Sequence, residues 1–280
     1  MHVMTSRTLY LLVTCCVEET RFNILKQVVS NIKEEQNTKN FNIEDQLVVF
    51  DNGSTHPGTV ELLKQNFKTV FQSSTNEGFW SAINWILKII DQKFDYIYVI
   101  ESDHIHFALE KVSDIEQFLD DHPDVGGVRA QEFVVAERHL YNKSKPTAGS
   151  RTYAWVNQIH HQTKKPIFIT ESDSSGFFIT NFLSQLHSVN RVKQMKKVFQ
   201  VLESMSTNGK FSEFDYQVLY NADYPLFGVI DGGLFHAKLS WDNGTVAGSY
   251  CGPAAKDNIG YQETRISTIT PPEKMNVKYV

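Results

Sequence analysis

Cysteine is scarce: the 280 residues hold three, Cys15, Cys16 and Cys251, two of them adjacent inside an apolar run. That count builds no disulfide framework and fits a reducing compartment, so a cytoplasmic protein is expected. Long apolar runs are missing too. "LYLLVTCCV" is too short to cross a bilayer, runs straight into "EET" and has no small-residue cleavage site. Neither a transmembrane segment nor a signal peptide is expected. Basic charge is not in excess: 27 Lys and Arg against 32 Asp and Glu leave a net charge of −5, which argues against a nucleic-acid partner. There is no internal repeat, no low-complexity tract and no clear linker. Both common phosphate loops are absent as well, since no Walker A lysine follows a strand and no G-x-G-x-x-G occurs. The Asn-x-Ser/Thr triplets at Asn52, Asn142 and Asn243 carry little weight in a chain not expected to meet the secretory pathway.

What is present describes a folded protein. Apolar residues make up 41% and charged ones 21%, and 280 residues suffice for a full core. The first half alternates two periods. "TLYLLVTCC", "DQLVVFDNGST", "KTVFQSS" and "DYIYVIESD" read as buried strands. Between them, "RFNILKQVVSNIKEE", "TVELLKQNF" and "EGFWSAINWILKIIDQ" repeat apolar residues at helical intervals. Strands alternating with helices predict a parallel sheet with crossover helices, and ligands bind outside the carboxyl ends of such strands. The second half is less regular. "VGGVRAQEFVV" and "PIFITESDSSGFFIT" read as glycine-interrupted strands, and 181–205 as a helix whose Lys193, Lys196 and Lys197 form a solvated face. "EFDYQVLYNA" reads as a short helix, "PLFGVIDGGLFH" as a strand and the last thirty residues as an extended arm.

Polar clusters end two of the strands. "VVFDNGSTHPGT" puts Asp51 at a strand end before a glycine turn, where Asp51 and Asn52 suit a turn and Thr55 an N-cap. In "NEGFWSAIN", Gly78 permits a tight turn, Ala82 a close helix contact, and Trp80 and Trp85 suit the core. "DYIYVIESDHIHF" ends in two acids and two histidines. Two acids two residues apart on a strand end point the same way. A hard cation between them can hold a diphosphate that they would otherwise repel. His104 and His106, beside the strand end, suit hydrogen-bonded wall positions.

Taken in order, "LLVTCC", "VVFDNGST", "NEGFWSAIN", "IYVIESD", "SSGFFIT", "SEFD" and a late "LFH" resemble the family 2 glycosyltransferases of the GT-A fold, nearest to those transferring rhamnose and related sugars. The resemblance covers roughly residues 8 to 240. It implies a central, mostly parallel sheet flanked by helices in one domain over 1–245, with a nucleotide-binding half (1–107) and an acceptor half (108–245). Residues 246–280 form an extension through which copies could assemble.

The partners implied are a nucleotide-diphosphate sugar donor, a glycan or other hydroxyl acceptor, and Mn²⁺ or Mg²⁺. By position, Thr14 lines the base pocket, Asp51 contacts the base or ribose, and Asn76 and Gly78 shape the donor site. In the "ESD" element, Glu101 and Ser102 face the donor and Asp103 the metal. His236 stands at the family's late histidine, toward the metal or a phosphate. Glu213 falls on the catalytic base position, with Asp215 taking the role under a shifted alignment, and Asp173 and Gly176 lie beside the acceptor. The chain departs from the family in four places: Cys15 and Cys16 after the threonine, Glu101 for an aspartate, His56 for a second acid, and Ser212 for the first acid before Glu213. The rival readings are a sugar-nucleotide pyrophosphorylase, for which "TCCVEET" is neither glycine-rich nor basic, and a binding module without catalysis.

Overall fold

A computed structural model describes residues 7–39, 41–90, 93–130, 169–171, 176–180, 188–205, 213–224, 226–230 and 233–236. The strands are β1 Thr8–Thr14, β2 Leu47–Asn52, β3 Thr69–Ser73, β4 Tyr96–Glu101, β5 Ile105–His106, β6 Val125–Arg129, β7 Ile169–Glu171, β8 Phe177–Thr180, β9 Ser188–Arg191, β10 Leu226–Ile230 and β11 Phe235–His236. The helices are α1 Glu19–Thr38, α2 Thr59–Asn66, α3 Phe79–Ile89, α4 Val112–Asp121, α5 Val192–Met205 and α6 Glu213–Asp223. Nine strands form one sheet in the order β3-β2-β1-β4-β9-β6-β10-β8-β7, and β5 pairs with β11 in a small second sheet. Only β9 and β8 run against the rest, so the expected α/β class with a mostly parallel sheet is observed.

The period-2 alternation of β1 sorts the core into two layers. Tyr10 and Leu12 face α1, α2 and α4 through Leu25, Val28, Ile32, Leu63, Ile115 and Phe118. Leu9, Leu11 and Val13 face α3, α5 and α6 through Trp80, Ile83, Val198, Phe199, Tyr216 and Leu219. A strand with both faces covered is mostly apolar, which is why β1, β2 and β4 read as near-continuous apolar runs up to their polar carboxyl ends. Among the described residues no helix is long and apolar enough to cross a membrane.

Several local expectations are corrected. The helix expected over 181–205 begins only at Val192, and Ser188–Arg191 form a strand wedged antiparallel between β4 and β6. The three-residue spacing of Leu186, Val189 and Val192 imitated a helix, but two vacant strand edges decided the outcome. The side chain of Arg191, the last residue of that strand, donates to the carbonyls of Val125 (2.9 Å), Leu119 (2.6 Å) and His122 (3.1 Å), satisfying acceptors in the last turn of α4 and just beyond it. The expected strand through His236 is two strands broken at Gly233, whose φ is +65°. Thr55 caps no helix, because α2 starts at Thr59. Trp80 is buried as expected, while Trp85 is 45% exposed and only edges onto Phe50 and Phe71. Of the lysines expected in solvent, Lys193 and Lys197 are exposed, Lys197 pairing with Asp223, and Lys196 is half-buried. Helix α4 was not expected, although Val112, Ile115, Phe118 and Leu119 carry its spacing. Asp173, Ser212 and the extension 246–280 lie outside the described residues.

Candidate functional site

Parallel register brings the strand ends into a row. Thr14 pairs with Asp51, Val13 with Glu101, and Asn52 with Ser73. Gly176 joins this edge from the other half: it precedes Phe177, which opposite-running β8 sets against Ile230 at the end of β10. Its φ is +84°, and a side chain there would meet open space.

The loops after β1, β2 and β3 are tied into one platform, and the motif residues supply the ties. Asp51 Oδ1 accepts from the Ser54 amide (3.1 Å), and Ser54 Oγ accepts from the Cys16 amide (2.7 Å). The amides of Thr55 and His56 donate to the Cys16 carbonyl. Asn52 donates to Asn76 Oδ1 (3.1 Å) and accepts from the Glu77 amide (2.9 Å), while Asn76 Oδ1 also accepts from the Gly78 amide (2.9 Å). By sequence Asn52 suits a turn, but in the fold it links two motifs. Its three-atom amide reaches both a donor and an acceptor, as Asp could not.

Gly53 is required twice over. Its φ is +77°, and a Cβ there would lie 2.4 Å from the Thr75 carbonyl carbon and 2.5 Å from the Asn76 nitrogen, both backbone atoms. Gly53→Ala is expected to lose at least about 1–3 kcal/mol of stability from backbone strain alone, with the clash adding to it. Urea unfolding measures this, and a variant as stable as the parent would contradict the close loop approach. Gly78 differs: its φ is +86°, yet nothing lies within 4 Å of the position its Cβ would take. The space before α3 is open.

Asp51 is fully buried, and its Oδ2 has no hydrogen bond of good geometry. Burial raises its pKa above the ordinary carboxylate value, against opposing hydrogen bonding from Ser54 and Gln72. A carboxyl with a raised folded pKa holds its proton more tightly folded than unfolded. Stability therefore falls as pH climbs from the ordinary carboxylate range through the folded value. The ionised group costs stability at neutral pH. Asp51→Asn is accordingly expected to melt above the parent at neutral pH, with the advantage fading by roughly pH 3. Melting curves at both pH values check it; an offset independent of pH would contradict the burial argument. Cys15 and Cys16 are also pushed up by burial, so the thiols stay protonated and are poor nucleophiles. Cys15 Sγ instead accepts from Asn76 Nδ2 at 3.5 Å, tying the first loop to the third.

The acidic element converges by a different geometry from the one expected. β4 ends at Glu101, and Ser102 and Asp103 lie in a turn closed by the His104 amide on the Glu101 carbonyl (3.3 Å). The turn, not the strand pleat, brings the acids together. One ligand atom each from Glu101, Asp103 and His104 lie within 4.8 Å of one another. Two carboxylates and an imidazole at that spacing fit a divalent cation. His104 is therefore a member of the cluster, not simply wall. His106 is wall, as expected: its Nε2 meets the Tyr98 hydroxyl at 3.1 Å, and burial lowers its pKa to about 3, which keeps it neutral. Asn31 grips the His106 main chain from both sides, accepting from its amide (2.6 Å) and donating to its carbonyl (2.8 Å). The backbone of His236 pairs with Ile105, which sets it beside this turn in register.

Helix α6 carries the two acids considered for the base. Tyr220 donates to the Gly126 carbonyl (2.7 Å), and a Cβ on Gly126 would touch Tyr224, so the C-terminal end of α6 lies by the start of β6. Its N-terminal end must then point to the carboxyl edge of the sheet. There Tyr216 stacks on Trp80 (centroids 4.3 Å, 16°), joining the first turns of α6 and α3. Asp215, next to Tyr216, is half-buried, and Glu213 opens the helix.

No family model and no curated protein sequence matches this chain. Among solved structures, it is similar to S. aureus TarS 1-349 at 14% identity, over 81% of this chain and 59% of that one, with a TM-score of 0.47. It is also similar to a second S. aureus TarS structure at 14% identity, over 81% of this chain and 36% of that one, with a TM-score of 0.46. The chain thus spans less than two thirds of either TarS chain, and a likeness this remote assigns no activity.

Proposed function

We propose that the chain is a GT-A-type glycosyltransferase of the family 2 kind, inverting and metal-dependent, which moves a hexosyl or deoxyhexosyl group from a nucleotide-diphosphate sugar to a hydroxyl of a glycan or other acceptor. One observation supports this reading above the others. The buried Asp51 carboxyl at the end of β2 and the cation-compatible turn at Glu101–Asp103 after β4 flank the end of β1 on the same sheet edge. A nucleoside needs the first and a diphosphate the second.

In this reading Thr14 and Asp51 hold the base and ribose, Asn76 and Gly78 border the donor, and Glu101 with Ser102 reaches the ribose. Asp103 and His236 hold Mn²⁺ or Mg²⁺, which when bound neutralises the charge on the departing diphosphate. Nothing lies within 4 Å of the Cβ position at Gly78, and this reading puts the donor on that side of the first turn of α3. Gly176, with Asp173, borders the acceptor.

The reaction is a single displacement. An acceptor hydroxyl oxygen attacks the anomeric carbon, and the bond from that carbon to the diphosphate oxygen breaks with its electron pair leaving on the diphosphate. A carboxylate at the start of α6, Glu213 in the first instance and Asp215 in the second, takes the hydroxyl proton. Trp80 and Tyr216 hold that helix start against α3, so base and donor share one rigid support.

A thermal-shift screen of nucleotide sugars with and without Mn²⁺ tests the proposal, because a ligand that binds the folded state raises its melting temperature. At least one nucleotide-diphosphate sugar should stabilise the protein more with Mn²⁺ than without. No stabilisation by any of them would contradict it.

A further inference from the structure

We infer that His104 is a ligand of the same cation, and that its imidazole makes the site selective for Mn²⁺ over Mg²⁺. This rests on the metal-dependent reading above and goes beyond it, since the resemblance assigns only Asp103 and His236 to the ion.

The distances separate two roles for the ring. His104 Nε2 stands 3.6 Å from Asp103 Oδ1, longer than a hydrogen bond. Two atoms each about 2.1 Å from one ion lie roughly 3 to 4 Å apart, so the same separation suits a shared cation. Glu101 completes the cluster, with its ligand atom within 4.8 Å of both. The ring is fully buried and the Asp103 side chain 18% exposed, so the carboxylate lies on the solvent side of the cluster and the imidazole backs it.

The local fold holds this arrangement in place. The His104 amide closes the turn on Glu101, and the next two residues are zipped to β11. Asn31 then fixes His106 by two main-chain hydrogen bonds. A ring on so constrained a turn loses little freedom when it binds an ion.

The metal preference follows from ligand chemistry. Mg²⁺ takes oxygen ligands and keeps several waters, whereas imidazole suits transition ions, so a backing nitrogen favours Mn²⁺.

Electron spin echo spectra of Mn²⁺ bound to the full chain test the assignment without any turnover. The probe is Mn²⁺ alone, with the parent, His236→Gln, His104→Gln and Asp103→Asn compared. Nitrogen modulation should persist in His236→Gln, because His104 remains bound. Titration should show Mn²⁺ affinity in His104→Gln reduced by at least about tenfold, with Mg²⁺ affinity nearly unchanged. Loss of all nitrogen modulation in His236→Gln, with Mn²⁺ still bound, would overturn the role of His104 and leave the metal-dependent reading standing. Failure of Mn²⁺ to bind the parent would overturn both. The His236→Gln spectrum does not depend on how well a variant at buried His104 folds.

Discussion

Glu213→Gln is expected to turn over about 10²- to 10⁴-fold more slowly than the parent while binding the donor as tightly, the range lost when a general base is removed. The separation of rate from affinity is the useful part. The first turn of α6 is held to α3 through Tyr216 and Trp80, and an amide in place of a carboxylate leaves that stack untouched. In the proposed reaction the base meets the acceptor hydroxyl and not the nucleotide, so donor affinity should not follow the rate. Asp215→Asn should do less. If Asp215→Asn is the inactive variant and Glu213→Gln keeps its rate, the two acids exchange roles. If both keep full rate with a competent acceptor, the start of α6 holds no base. Single-turnover rates and donor titrations of both variants decide among these outcomes.

Asp103→Asn is expected to abolish the Mn²⁺-dependent part of nucleoside-diphosphate binding and to leave the fold intact. The side chain sits in a turn outside the sheet ladder, and its exchange for an isosteric amide disturbs no strand pairing. What it removes is a negative charge from a cluster whose ligand atoms already lie within 4.8 Å of one another. A neutral amide oxygen is a much weaker ligand for a divalent ion. Calorimetry with and without Mn²⁺ measures the difference, and unchanged metal-dependent affinity would remove Asp103 from the site.

The parallel half of the molecule was legible because its signals are local. β1, β2 and β4 are buried on both faces and therefore mostly apolar up to their carboxyl ends, and α1 and α3 alternate with them at helical spacing. The positions of Thr14, Asp51 and Glu101 at strand ends followed directly. What was not legible depended on contacts between distant segments. Ser188–Arg191 became a strand because β4 and β6 each offered an edge, which three-residue spacing cannot reveal. Gly53 could be read as a turn residue, but its stricter requirement, the approach of Thr75 and Asn76, exists only once the third loop packs on the second. The same holds for Asn52. The sequence alone suits His104 to a hydrogen-bonded wall position beside the strand end, and sets only the two acids on one side by strand alternation. A turn does not keep that alternation, and it brings all three together.

The central claim is that one sheet edge binds a nucleotide-diphosphate sugar and releases its nucleoside diphosphate. The most direct measurement is nucleoside-diphosphate release from a panel of nucleotide sugars, with and without Mn²⁺, by the parent and by Asp103→Asn. Even without the natural acceptor, water can take the place of the hydroxyl. Release from at least one donor should require Mn²⁺ in the parent and be absent in Asp103→Asn. Release that is indifferent to both the metal and Asp103, or no release from any donor that the protein binds, would contradict the account.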